Sequence, residues 1–246
     1  MINLDSLLKL LAISEENIGL FSVRHSNRAK KLIFKPSIRN GFEIVLPRFY
    51  DDSWVLETVT KSKSKIEKRL AEINEARTEL KPTSIMLPSA GRSWEVIYRG
   101  TNDKDSDAIT ETSTTLEVSE KAEDVFWTST VLQEWLQGKA REYLPRHLHD
   151  VSTKLTLPYN KVRIKRQKTL WGSCSITGNI NLNRNLMLMP FEAVDYVVHH
   201  ELVHLKVLNH SSKFWKELER SFPDYKRGMN QLKYFGANKI PEWALV

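Results

Sequence analysis

Val197-Val198-His199-His200-Glu201-Leu202-Val203-His204-Leu205-Lys206-Val207-Leu208-Asn209-His210 is the stretch on which the reading of this chain turns. Pro190 suits the first turn of a helix, and Phe191, Val194, Val197, Val198, Leu202 and Leu205 supply an apolar side. The spacing predicts one helix over about 190–208, with Asn209 as a left-handed residue just past its end. On that helix His200 and His204 are four apart and project from one face, one turn apart. Two imidazoles so placed can share one tetrahedral ion, and Glu201 leans toward the ion's open side. His-Glu-x-x-His is the pattern of a Zn²⁺ site with three protein ligands and an open position for water. The ion lowers the pKa of that water toward ~7 and polarises a carbonyl. Glu201, poorly placed to be a ligand, is placed to take the water's proton and return it to a leaving amine.

The third ligand is less narrowly specified. His210 follows His204 by six residues, the interval at which the metzincins place their third histidine. Their turn uses a glycine three residues after the second histidine; here that position is Val207, so this chain turns differently. Glu217 or Glu219, on a helix expected from Ser211 to Phe222, is the alternative, and a three-ligand site is expected either way. His199 points about 100° away from His200 on a helix, which suits packing rather than ligation.

Charge is asymmetric in the same direction. The 246 residues carry a formal +7 from 37 Lys+Arg against 30 Asp+Glu. Residues 1–160 hold 23 basic and 23 acidic side chains, whereas 161–246 hold 14 and 7, so the last third carries the whole excess. Four of the seven histidines also fall there, within 199–210. Hydrophobic residues at 41% and charged residues at 27% are near the globular norm and exclude general disorder. The single cysteine, Cys174, excludes an internal disulfide and fits a reducing compartment. No run of eighteen apolar residues suggests a membrane span, and the opening Met1–Lys9 lacks a cleavable signal pattern. A cytoplasmic protein with no membrane association is expected.

Working outward, Leu4, Leu7, Leu8 and Leu11 predict a short amphipathic helix. Strands are expected at 21–25, 31–34 and 42–46, the last two joined by the Arg39-Asn40-Gly41 turn signal. A helix is expected from about Asp52 to Leu80, then strands at 84–87, 94–98 and 114–118 around a polar loop over 100–107. A second helix, about 122–148, carries Val125, Phe126, Val131, Leu132, Trp135 and Leu136 as a core stripe. The best boundary lies near residue 120, giving a β-rich domain over 1–119 and a hydrolase domain over 120–246, in an α+β fold.

Three motif groups extend this pattern: Trp171-Gly172-Ser173-Cys174-Ser175 with Gly178-Asn179-Ile180-Asn181-Leu182-Asn183, the helix from Asp195 through His204, and Asn209-His210-Ser211 with Phe214-Trp215. Together with Ser22-Val23-Arg24, Arg28-Ala29-Lys30 and Gly41–Pro47, they resemble the YgjP-like metallopeptidases, zincin-like proteins related to the SprT-like group. The likeness spans roughly 20–235. It implies a zincin-like C-terminal metallopeptidase domain with one Zn²⁺ per chain at His200, His204 and His210, and Glu201 catalytic. Members often carry a cysteine where this chain has Val203, a non-ligand position.

Other residues admit two readings. Lys161, Arg163, Lys165, Arg166 and Lys168 alternate with Val162 and Ile164, as in a strand with one cationic face. Such a strand could lie beside the metal cleft and accept an extended peptide, could meet phosphates, or could be a solvated face. Asn181 and Asn183 could orient substrate or cap turns. Cys174 reads as a small residue in a tight turn rather than a nucleophile. The expectations are therefore a zinc peptidase acting on peptide or protein, a nucleic-acid-associated SprT-like protease, or a non-catalytic metal-stabilised binding module.

Overall fold

The computed structural model describes residues 3–100, 108–120, 126–167, 169–238 and 240–245. The expected loop residues 101–107, Val125 and Lys168 lie outside them. Helices and three small sheets make an α+β protein, divided into two compact units, Met1–Glu79 and Leu80–Leu245. The boundary therefore falls some forty residues before the expected one. The reason is packing: Trp94, Leu116 and Val118 share one core with Val131, Leu132 and Trp135, so the strands after residue 80 cannot be separated from the helix that follows them.

In the first unit, α1 (Leu4–Leu11) begins where the Asn3 side chain accepts from Ser6 N, satisfying an orphan donor of the first turn. It is followed by α2 (Glu15–Ile18), β1 (Phe21–Ser26), β2 (Ile33–Ser37) and β3 (Gly41–Pro47). β3 is central, antiparallel to β2 across the expected turn and parallel to β1. Being central, β3 is buried at six of seven positions instead of alternating. α3 (Asp52–Thr78) starts at the Asp51 cap and buries Val55, Val59, Ile66, Leu70 and Ile73, an i/i+4/i+7 stripe. That stripe closes a core with Leu7, Leu11, Phe42 and Ile44.

The second unit opens with β4 (Ser84–Leu87), β5 (Arg92–Gly100), β6 (Ile109–Glu111) and β7 (Thr115–Glu120), in the order β4-β5-β7-β6. β6, only three residues long, is too short for sequence periodicity to reveal. α4 (Trp127–Leu155) runs beneath this sheet, and Trp94 meets Trp135 edge-on at 5.1 Å. It continues past Pro145 and seven residues beyond the expected end, because Leu144, Leu148 and Val151 keep the stripe buried. The missing Pro145 N–H costs one helical hydrogen bond, which that burial outweighs.

A third sheet, β8 (Lys161–Lys165), β9 (Gly172–Cys174) and β10 (Asn179–Asn183), has the order β8-β10-β9. Next come α5 (Phe191–Val203), α6 (Ser212–Ser221), α7 (Tyr225–Asn238) and α8 (Glu242–Leu245). α5 is buried on nearly all sides, which fits its apolar sequence and places its polar residues in a low-dielectric setting. The buried Arg184 guanidinium donates to Gln133 O at 3.0 Å, Gln133 Oε1 at 2.9 Å and Ala244 O at 3.3 Å, tying α8 to α4. No helix of the described residues is long and apolar enough to cross a membrane.

Candidate metal centre

α5 ends earlier than its periodicity suggests, at Val203, with His204 as its C-cap. Just past that end the His204 ring holds the following turn. Its Nδ1 lies 3.0 Å from Val207 O, and a carbonyl only accepts, so Nδ1 carries the proton and Nε2 presents its lone pair. Asn209 does not adopt the expected left-handed conformation; among described non-glycine residues only Ala12 and Thr156 have positive φ. Instead its side-chain Oδ1 accepts from Ser211 N at 3.3 Å and turns the chain that way. The turn returns His210 to the helix face bearing His200 and His204.

The three imidazoles converge. His200 Nε2 lies 3.2 Å from His204 Nε2 and 3.0 Å from His210 Nε2, and all three ligand atoms fall within 4.8 Å of one another. Two nitrogens bound tetrahedrally at the usual Zn–N length stand about 3.3 Å apart, so this donor set fits a divalent ion of that kind. Phe214, fully buried, is the floor of the cluster, its ring 4.8, 4.6 and 4.8 Å from His200, His204 and His210. Trp215 Nε1 donates to His210 O at 3.1 Å, and Tyr196 Oη lies 3.4 Å from His200 Nδ1. The Tyr196 contact orients the His200 ring and the Val207 carbonyl the His204 ring, while Trp215 holds the His210 backbone. Burial and the neighbouring imidazoles lower the His200 pKa to about 3, so the ring is neutral and able to ligate at physiological pH. Burial likewise lowers that of His204.

Of the two alternatives for the third position, Glu217 pairs with Lys206 at 3.2 Å, and neither it nor Glu219 belongs to the cluster. His199 faces elsewhere, stacked on Phe222 at 4.7 Å with Nδ1 2.8 Å from Asp195 O.

Glu201 is 4% exposed, and its Oε2 has no hydrogen-bond partner. Desolvation raises its pKa to about 8. β9 presses on it directly: a Cβ at Gly172 would sit 2.5 Å from Glu201 Oε1, 2.7 Å from Cγ and 2.9 Å from Cδ. Only glycine lets the strand come this close. Cys174 is half-buried in β9, a strand rather than the expected tight turn, and burial with the Glu201 charge pushes its thiol up to about 11. A thiol so raised is inert as a nucleophile.

The remaining candidates fall into place around this centre. Lys161, Arg163 and Lys165 are exposed on β8, with Arg166 just beyond its end. β8 is not the strand against Glu201; β10 separates it from β9, the strand whose glycine permits close approach. Asn181 Nδ2 donates to Ser173 Oγ at 2.9 Å across β10 and β9. Asn183 is buried, donating to Gln167 O and Leu170 O at 2.8 Å and accepting from Asn185 N at 3.0 Å, so it caps turns. Gly172 and Tyr196 were not legible as parts of the site. Tyr196 precedes His200 by four residues, a helical signal that could have revealed it; Gly172 has no local signal toward Glu201.

Three convergent histidines are a donor set that could hold a divalent ion of the kind a metal-dependent hydrolase uses. A family model described as YgjP-like, metallopeptidase domain, matches residues 30–235, and the chain belongs to that family. Membership implies a metal cofactor, usually zinc, and peptide or protein substrates. Among solved structures, the chain is similar to the metallopeptidase zymogen abylysin of Pyrococcus abyssi, at 27% identity over 39% of this chain and 95% of that one. The TM-score is 0.34, too low to carry an argument. No curated protein matches the chain.

Proposed function

We propose that this protein is a cytoplasmic, zincin-like zinc peptidase in which His200, His204 and His210 hold one Zn²⁺ and Glu201 is the general base. The observation that supports this most is the convergence of three imidazole Nε2 atoms, with the carboxylate of the residue next to His200 buried and its Oε2 without a partner. A bound divalent ion there supplies Lewis acidity toward the scissile carbonyl and acidifies the attacking water. The rest falls to the chain's own groups. Glu201 Oε2 takes the water's proton and passes it to the leaving amine. Gly172 holds that carboxylate in one place by contact.

The substrate lies along β9 in this reading. Asn183 N donates to Trp171 O at 2.8 Å and Ser175 N to Asn179 O at 3.0 Å, so residues 171, 173 and 175 are the ones paired with β10. Gly172 and Cys174 therefore turn their backbone N–H and C=O to the other side, where no strand pairs among the described residues. An extended peptide added there bonds main chain to main chain and passes Glu201. The test is Glu201→Gln, which should retain one zinc per chain while turnover of a peptide library falls by about 10²–10⁴-fold. Retained turnover refutes the role of Glu201. A protein that melts on zinc removal but never hydrolyses is the metal-stabilised binding module instead.

A nucleic-acid-tethered variant rests on the exposed Lys161, Arg163, Lys165 and Arg166 in the basic last third of the chain, and the comparisons lend it no support. It requires binding to duplex or single strands that weakens steeply with salt; titrations without such binding end it.

A further inference from the structure

Beside His204 lies a cleft of about 520 Å³ that the chemistry above does not use, bounded by the β9–β10 hairpin tip, the Pro158–Asn160 segment and Leu205–Leu208. Its tip is built to be stiff. Gly178 takes φ +72° and would put a Cβ 3.4 Å from Leu205 Cδ2. Gly178 N donates to Ser175 O at 2.9 Å, Asn179 N to Ser175 Oγ at 3.1 Å, and Asn179 Nδ2 to Thr177 Oγ1 at 2.8 Å. Yet this rigid turn holds Ile176 84% exposed, and Leu208 across the cleft is 53% exposed. Two large aliphatic side chains left in water on facing walls gain by being covered, and a stiff wall loses little entropy when that happens. Two links tie the cleft to the proposed chemistry: His204 lines it, and β9 runs directly into its hairpin wall.

We infer that this cleft is a specificity subsite for an aliphatic or aromatic side chain of the substrate, one residue or so from the scissile bond. The inference rests on the peptidase reading and adds to it a substrate class: extended peptides with a large apolar residue near the cut. A peptide paired to β9 passes the metal centre and delivers its next side chains toward the tip, where Ile176, Leu205 and Leu208 close around an apolar group. The Lys206 ammonium is drawn toward Glu217 on the neighbouring helix, leaving its methylene stem to complete the wall.

The experiment has two arms. Zinc-loaded wild type is given a position-randomised peptide library, and zinc-loaded Glu201→Gln is titrated calorimetrically with a leucine-containing peptide and its alanine counterpart. Leucine should be preferred over alanine by roughly ten- to a hundred-fold at one position, in cleavage and in binding. Ile176→Asp and Leu208→Asp, both at exposed positions and checked for unchanged melting, should each bring the ratio within about twofold. Cleavage without apolar preference overturns the subsite and leaves the peptidase reading standing. Selective binding by Glu201→Gln with no hydrolysis by wild type does the reverse. Preference that survives both substitutions, or no saturable binding of either peptide, also overturns the subsite.

Discussion

Gly172→Ala tests the geometry most directly, because it exchanges one hydrogen for a methyl group and touches none of the three histidines. The new Cβ would stand 2.5–2.9 Å from Oε1, Cγ and Cδ of Glu201. Carbon contacts are comfortable from about 3.5 Å, so something must yield by about 1 Å. Two movements can supply it. If the carboxylate moves, a misplacement of that size costs on the order of 10²-fold in turnover. If β9 moves, the cost appears as overpacking, about 1–3 kcal/mol, or roughly 2–12 °C in melting temperature for a protein of this size. The histidines are untouched in either case, so zinc content should remain one per chain. The assay is therefore zinc stoichiometry, thermal melting and turnover of a quenched fluorescent peptide on the same preparations. Gly138→Ala is the control: it lies in α4 with nothing within 4 Å of its Cβ position, and should stabilise the helix by about 1 kcal/mol without altering turnover. Metal-replete Gly172→Ala with turnover within threefold of wild type would refute the idea that β9 positions the base.

His210→Ala should abolish most of the stabilisation that zinc gives wild type, about 2.7 kcal/mol at a hundredfold excess over Kd and read as a rise in melting temperature; an undiminished zinc response would return the third ligand to a glutamate. Tyr196→Phe removes the hydroxyl beside His200 Nδ1 and should weaken zinc binding by roughly 10–100-fold by competition with a chromophoric chelator; unchanged affinity would make Tyr196 a packing residue only. Zinc-free protein should show opposing pH dependences. His200, whose pKa falls from 6.5 to about 3, contributes stability that is full above pH 6.5 and lost as pH falls toward 3. Glu201, raised from 4.5 to about 8, contributes stability that is full below pH 4.5 and lost as pH rises to 8. The two slopes oppose between 4.5 and 6.5, and the lowered His204 pKa adds to the histidine side, so melting should rise with pH as 6.5 is approached. It should then decline by about 2 kcal/mol toward pH 8, a decline that Glu201→Gln removes; a wild-type curve flat to pH 8 would contradict it.

What sequence could reveal about this centre depends on how far apart the cooperating residues lie. His200, Glu201 and His204 are bound by helical periodicity, so their common face follows from numbering alone. His210 lies beyond the helix, where numbering sets a distance but no direction, and the glutamates of α6 stay open until Asn209 is seen to turn the chain with its side chain. The helix end shows the same limit at shorter range. Apolar residues continue to Leu208, yet the His204 ring draws Val207 O into a turn, because a side chain and the helix compete for the same backbone carbonyl. Gly172 and Glu201 are twenty-nine residues apart on different elements, and no periodicity connects them. Their contact exists because β9 packs across α5, a choice made by the whole core of Leu80–Leu245. The same core explains the misplaced boundary, since Trp94 needed Trp135 as a partner before its strand could be assigned to a unit. The proposed ligand set of this chain is written locally and survives reading without a structure. The placing of the Glu201 carboxylate is written only in the packing, which is why substitutions at Gly172, and not at the histidines, separate the two.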